Sequence, residues 1–463
     1  MIGLIIGQLL VWALGAACVG ALWRRNPAQG NSLVLGYGYV VGTVALTLWM
    51  RALSVVGIAW SWVSIGVPLL VGAAFAAWWV RRAGGTILQP IRLSPERVTY
   101  AGLSSRMSAA IWWLLVGLIA LHLLLAGLEV IWRPLFPWDA WTQWATKARV
   151  WYEFSRMVPF ADSATWMNGG VYTDAIPGYP ANVPLLEVWA CITLGRWDDS
   201  LMSVYVVFLT AALALAFHGQ LRDSGRSPLV SLAGAYAVVS LPLLDTHSAL
   251  AGYADLPLSI YVGLASIALW RWTISRDRAQ FVVAFILAIA CPFTKYPGWA
   301  WIGVMASALI VALWPRRGIV IVLGAIVASI VALAVLGHSN VSIGDYRMGA
   351  FRPVWEPLWQ NYFQFANWHL LWYLLPVLIA LGWRHTAKPP LIAGTAMVTS
   401  GLAFLFVVFS FSNAAAFVTD YSTVNRATLH LAPLLVFYVI QLADAIVVQP
   451  PDLAGARSIT SDG

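Results

Sequence analysis

The sequence predicts an all-α membrane protein: a polytopic bundle of about thirteen transmembrane helices with juxtamembrane helices on its external face. Three observations predict it. Sixty per cent of the 463 residues are apolar and only ten per cent are charged, which leaves too little polar surface to cover a water-soluble globule. Apolar runs long enough to cross the hydrocarbon layer recur from Met1 to Val448. The basic residues fall in short clusters between those runs, in the alternation that the positive-inside rule requires.

The first run, 2–23, lacks a basic leader and is too long for the apolar core of a cleaved signal, so it is expected to remain as a helix. Further spans are expected at 31–50, 54–80, 109–131, 200–217, 228–246, 256–271, 279–293, 297–314, 318–337, 368–383, 391–411 and 427–447. The stretch 183–196, containing PLLEVWACITLG, carries Glu187 between prolines and charges and reads as an interfacial or re-entrant helix. With this count Arg24, Arg25, Arg81, Arg82, Arg92, Arg97, Arg106, Arg222, Arg226, Arg271, Arg276, Arg278, Arg316, Arg317, Arg384, Lys388 and Arg457 share one side, seventeen of the 27 basic residues. They mark the cytoplasm. Arg51 and nine others fall opposite, so Met1 and the loops 132–199, 338–367 and 412–426 are expected outside. Treating 183–196 as a span would put the RDSGR and WPRRG turns outside, against the charge bias. Residues 1–108 read as an N-terminal three-helix membrane module with a cytoplasmic loop, 109–448 as the main membrane domain, and 449–463 as a disordered cytoplasmic tail.

The net charge of +8 is spread among these turns rather than along one face, so it points away from nucleic acid. Cys18, Cys191 and Cys291 lie in or beside apolar runs without ligand spacing, which indicates packing residues rather than a disulfide framework or zinc site. No GxSxG, Walker loop or HExxH occurs.

Chemistry is expected in the external loops. The loop after the fourth span begins RPLFPWDAWTQWATKARVWYEF, in which Trp138, Trp141, Trp144 and Trp151 surround one acid, Asp139. The tryptophans read as an interfacial belt. An acid at membrane depth is either a helix cap or a functional group. Asp174 follows in a Pro- and Gly-rich stretch, as a solvated carboxylate or a second acid converging on the same cavity. Farther on, HSALAGYADLPLS places His247, Tyr253 and Asp255 at the ends of two spans, and CPFTKYPGWAW places Lys295 and Tyr296 between two others. These charges read as snorkelling anchors, or Lys295 as a cation for a lipid phosphate. NAAAFVTDYSTVNRATLHLAPLL adds Asp420, Arg426 and His430; Arg426 either holds phosphate through two hydrogen bonds or pairs with Asp420.

Between Trp132 and Val448, PWDAW, YPANVPLLEVW, GYADLPL, TKYPG and NRATLHLAPLL occur in the order seen in a known group. The chain resembles the GT-C superfamily of membrane glycosyltransferases, in the branch of the protein O-mannosyltransferases and lipid A aminoarabinose transferases. That resemblance implies transfer of a sugar from a polyprenyl-phosphate donor to a lipid, glycan or protein acceptor at the periplasmic face of a bacterial inner membrane. It implies Asp139, with Asp174, as catalytic acids, and Lys295 and Arg426 as cations for the donor phosphate. Trp138, Trp141, His247, Tyr253, Asp255 and Tyr296 are then expected to bind substrate. Three helices precede the acid-bearing loop where the family usually has one, and a lone acid stands where an acidic pair is usual. No cofactor is therefore specified, and a divalent metal is left open. A transporter or lipid flippase would use the same charges as a substrate path. An enzyme similar to O-antigen ligases would depend instead on His430 or His369.

Overall fold

The computed structural model describes residues 1–23, 30–89, 100, 102–336, 342–343 and 346–447. Arg24, Arg25, Arg92, Arg97, Arg457 and the tail 449–463 lie outside them. Twenty α-helices occur among the described residues. The first ten are α1 (Ile2–Trp23), α2 (Asn31–Val55), α3 (Val67–Arg82), α4 (Ser105–Trp132), α5 (Ala145–Phe154), α6 (Ser163–Met167), α7 (Asn182–Leu194), α8 (Tyr205–Asp223), α9 (Pro228–Val239) and α10 (Pro242–Ala249). They continue as α11 (Asp255–Ser275), α12 (Arg278–Ala290), α13 (Gly298–Leu313), α14 (Gly318–Leu336), α15 (Trp355–Trp359), α16 (Leu371–Thr386), α17 (Ile392–Phe411), α18 (Ala416–Thr419), α19 (Thr423–Leu429) and α20 (Ala432–Val447). Strand structure among the described residues is a two-residue antiparallel pair, Ser342–Ile343 with Tyr346–Arg347.

Eight helices are long and apolar enough to cross a membrane, or ten if the bent pairs α9–α10 and α19–α20 each count as one span. They make the chain a multi-pass membrane protein. The runs expected at 279–293, 297–314 and 368–383 form shorter helices, α12, α13 and α16, of 13, 16 and 16 residues. In α4 and α14 only 11% of the most apolar window is buried. Helices that are apolar all round and leave that surface uncovered need a solvent other than water.

The two bends have a local cause. Pro242 opens α10 and Pro433 is the second residue of α20. A proline gives no N–H and its ring collides with the carbonyl four residues back, so the chain breaks at Ser240–Leu241 and at His430–Leu431, by 61° and 54°. The second break brings His430 to the end of the bundle that also holds Asp255, Lys295 and Arg426.

At the core lies α11, in which every residue from Asp255 to Trp270 is buried. Around it α8, α12, α13 and α20 pack, α2 reaches it through hydrogen bonds of Tyr37 to the Leu264 carbonyl and Thr43 to Tyr261, and α1 lies along α2. The main apolar cluster among the described residues draws on the N-terminal helices and the rest of the bundle, from Val11 to Leu442. The basic turns at the other end are tied by side chains: Arg271 to Asp223 at 3.0 Å, Trp23 Nε1 donating to Asp277 at 2.8 Å, and Arg226 to Asp444.

The helix read as interfacial or re-entrant lies inside the bundle, which excludes the interfacial alternative. Helix α7 packs against α1, α2 and α5 and buries nearly every residue, Glu187 included. Its apolar residues surround the helix instead of forming one stripe, which suits an interior position rather than a surface. Neither carboxyl oxygen of Glu187 has a hydrogen-bond partner among the described residues. An ionised carboxylate there would be uncompensated in an apolar medium, so the side chain is held as the neutral acid. Glu187→Gln is accordingly expected to shift stability by less than about 1 kcal/mol, whereas Glu187→Lys should prevent folding. Thermal melting of the purified variants checks this; a loss above about 3 kcal/mol in the glutamine variant would mean a charged, paired Glu187.

Candidate functional site

The site is organised by Asp255, the first residue of α11 and fully buried. Its Oδ1 accepts from Lys295 Nζ at 2.7 Å and from His430 Nε2 at 3.0 Å. Its Oδ2 accepts from Arg426 Nε at 2.9 Å and lies 2.7 Å from Arg426 Nη2. Both carboxylate oxygens are therefore held, by three hydrogen bonds and a close ion pair. Trp301 Nε1 donates to His430 Nδ1 at 3.2 Å. That bond leaves the proton on Nε2, so His430 is a neutral donor to Asp255.

Arg426 joins this buried centre to Asp139, its Nη2 donating to Asp139 Oδ2 at 2.5 Å. Asp139 keeps about a quarter of its side chain exposed, while Asp255 is sealed. The ring of Tyr253 lies under the guanidinium at 4.5 Å from its centroid. Burial first, and then Asp139 and Asp255, push the Tyr253 phenol above its usual range, against the pull of Arg426. Tyr253 thus acts as a protonated phenol and a cation–π platform. His247 packs on Tyr253 with ring centroids 5.5 Å apart and donates from Nδ1 to the Leu243 carbonyl at 2.9 Å.

Gly252 makes this convergence sterically feasible. At φ +115° it occupies backbone space open to glycine, and a Cβ there would stand 2.7 Å from the Cβ of Ala140. The segment leading to Tyr253 and Asp255 therefore closes directly on the residue after Asp139. On the other side Tyr179 stacks on Trp144 at 5.1 Å and meets Tyr296 edge to face at 5.0 Å. Gly178 lets the Tyr296 hydroxyl approach: a Cβ would sit 2.5 Å from it.

Of the expected site residues, Asp139, Tyr253, Asp255, Lys295 and Arg426 meet directly, with His247 and Tyr296 in the surrounding wall. Trp138 and Trp141 form an exposed edge-to-face pair at 4.7 Å beside Asp139, and no contact among the described residues links them to the cluster. Asp174 does not converge on this cluster. It pairs with Lys147 at 2.7 Å, both side chains buried, and Lys147 also donates to the Ile176 carbonyl at 2.9 Å. Burial pulls the Lys147 ammonium below its usual range and Asp174 opposes that pull. The pair ties the Pro- and Gly-rich loop to α5.

Two other expectations are corrected. Asp420 accepts from the Ser422 N–H at 3.0 Å and its hydroxyl at 2.8 Å, while Arg426 takes Asp139 and Asp255 as partners. The nearer carboxylate loses because the short helix α19 turns Arg426 inward, toward the buried Asp255. Asp139 precedes the turn Ala140–Trp144 but makes no side-chain cap bond; its oxygen goes to Arg426. The sequence reading did not single out Trp301 or Tyr179, which orient His430 and Tyr296. A tryptophan inside an apolar helix and a tyrosine in a loop carry no local mark of such a partner.

Lys295 and Arg426 are balanced by Asp255 and Asp139, so the cluster carries no net charge with His430 neutral. No group of three or more His, Cys, Asp or Glu among the described residues is placed to hold a metal ion. The guanidinium of Arg426 occupies the position between the two carboxylates. Comparison with protein-family models, curated proteins and solved structures finds no match to this chain.

Proposed function

We propose that the protein is a GT-C-like membrane glycosyltransferase that takes a sugar from a polyprenyl-phosphate donor at the external face, with Asp139 as general base. The observation that carries this reading is the partly open Asp139 carboxylate, held by one oxygen on a cation that is itself locked onto a buried acid. Inverting displacement at an anomeric carbon needs a carboxylate to take the acceptor's proton and fixed positive charge for the departing phosphate. Asp139 has one oxygen bonded to Arg426, which leaves the other to receive the proton. The thirteen-span topology, the periplasmic side and a bacterial inner membrane belong to this same reading. So do Lys295 and Arg426 as phosphate cations, a task in which each would exchange a carboxylate contact for a phosphate oxygen.

His430 and His369 fit poorly as the central groups of a ligase-like enzyme. Both ring nitrogens of His430 are engaged, and His369 Nε2 is spent on the Ser240 carbonyl at 2.7 Å. A transporter is favoured by one feature, the neutral Glu187 inside the bundle, which is a proton-carrying group of the kind pumps use.

Transfer of radiolabelled sugar from a panel of polyprenyl-phosphate donors, measured in membranes with and without the protein, separates the two. Protein-dependent transfer supports the glycosyltransferase. Absence of transfer with every donor, together with pH-gradient-driven uptake or lipid flipping in vesicles that Glu187→Gln removes, would establish the transporter.

A further inference from the structure

Among the described residues Arg51 is a cation without a counter-ion. It sits one turn from the end of α2, and its Nη2 donates to the Asn182 side-chain oxygen at 2.8 Å. The guanidinium carbon lies 5.2 Å from the centroid of the Phe293 ring. Its Nε is buried with no hydrogen-bond partner, and no ion pair joins it to an acid among the described residues. Elsewhere at this end of the bundle the buried cations are matched: Lys147 by Asp174, Lys295 by Asp255, and Arg426 by both Asp139 and Asp255.

The carbonyl end of α2 supplies only a partial negative charge, which does not replace an ion. The side chain is nevertheless built in. Asn182 donates to Thr294 Oγ1 at 3.2 Å, and its backbone N–H donates to the Phe293 carbonyl at 3.1 Å. The support for Arg51 therefore comes from the same turn that supplies Lys295. Phe293 itself is 42% exposed, and Val55 and Val56 beyond Arg51 are more exposed still, so the half-buried guanidinium lies beside uncovered apolar side chains.

A half-buried guanidinium at an apolar margin, with donors to spare and no acid, matches the phosphate of an amphiphile whose chain lies along that apolar surface. We propose that Arg51 is a docking cation for a lipid phosphate, entering between α2, the start of α7 and the α12–α13 turn. It lies in the N-terminal helices, outside the stretch that carries the glycosyltransferase resemblance, and gives those helices a task at the site. The inference rests on the proposed function only in expecting that lipid to be the polyprenyl donor.

The test is binding to the full-length protein in a maltoside detergent, which brings no phosphate of its own. Farnesyl phosphate, farnesol and inorganic phosphate are titrated against wild type, Arg51→Gln and Arg51→Lys, with melting curves to establish folding. Wild type is expected to prefer farnesyl phosphate to farnesol by about tenfold or more, as a charge-assisted bond to phosphate supplies. Arg51→Gln should cut that preference several-fold while leaving farnesol binding unchanged, the remainder coming from Lys295 and Arg426, and Arg51→Lys should lose less of it. Equal farnesyl phosphate binding by wild type and Arg51→Gln overturns the proposal. Inorganic phosphate binding as tightly as farnesyl phosphate overturns the lipid as its source. Should Arg51→Gln not fold, a farnesyl phosphate affinity in Arg51→Lys identical to wild type would count against it, since lysine lacks the two-pronged donor. Arg51-dependent binding without sugar transfer from any donor would leave this site standing and remove the glycosyltransferase reading.

Discussion

Asp255→Ala is expected to destabilise the protein by about 3–5 kcal/mol, the cost of leaving buried charges without their partner. The effect follows from geometry: one sealed carboxylate accepts from Lys295, Arg426 and His430. Asp255→Asn should lose nearly as much, because the amide keeps the shape and discards the charge. A second change that removes one of the stranded cations, Lys295→Met, should recover part of the loss in the Asp255→Asn background while being harmful alone. Melting of the four proteins in detergent checks this as a double-mutant cycle. Additive losses would mean that Lys295 and Asp255 do not stabilise each other.

Asp139→Asn should behave in the opposite way. Its side chain is partly open, and asparagine still offers an oxygen to Arg426, so the melting temperature is expected to stay near that of wild type. Sugar transfer is expected to fall by about 10²–10⁴-fold, the usual contribution of a general base. Initial rates with a saturating polyprenyl-phosphate donor, compared between the two proteins, measure it. A folded variant with wild-type transfer would remove Asp139 from the chemistry and leave it a surface partner of Arg426. On this proposal the two acids bound to one guanidinium are expected to separate, Asp255 sustaining the fold and Asp139 serving the reaction.

Much of the architecture was legible because hydrophobic length is a local property. Each of the thirteen apolar runs contains a helix, and α1 and α17 match their expected bounds within a residue or so. The bends at Pro242 and Pro433 were less visible: each run reads as continuous, and only the geometry shows that the chain turns there. The burial of Glu187 was not visible, because one acid in an apolar run normally argues for a surface and a buried acid leaves no trace in composition. For the site, the residue types and the loops that hold them could be picked out, but not their partners. Asp255 and Arg426 stand 171 positions apart and Asp139 and Arg426 stand 287 apart. The sequence offered the nearby Asp420 for Arg426 and left Asp174 near Asp139, and proximity along the chain misled in both cases. Arg51 was counted only as a topology marker, since its lack of an acidic neighbour is a fact about space.

The matched charges around Arg426 set a condition on any turnover. Two cations face two carboxylates, so the resting cluster is electrically neutral, and a membrane voltage has no net charge there to act on. A proton accepted by Asp139 cancels one of the negative charges and leaves Lys295 and Arg426 with an unmatched unit of positive charge. In the proposed reaction this surplus arises as the departing phosphate gains its own negative charge. Deprotonating the acceptor and stabilising the leaving group then become a single electrostatic event, linked through one guanidinium.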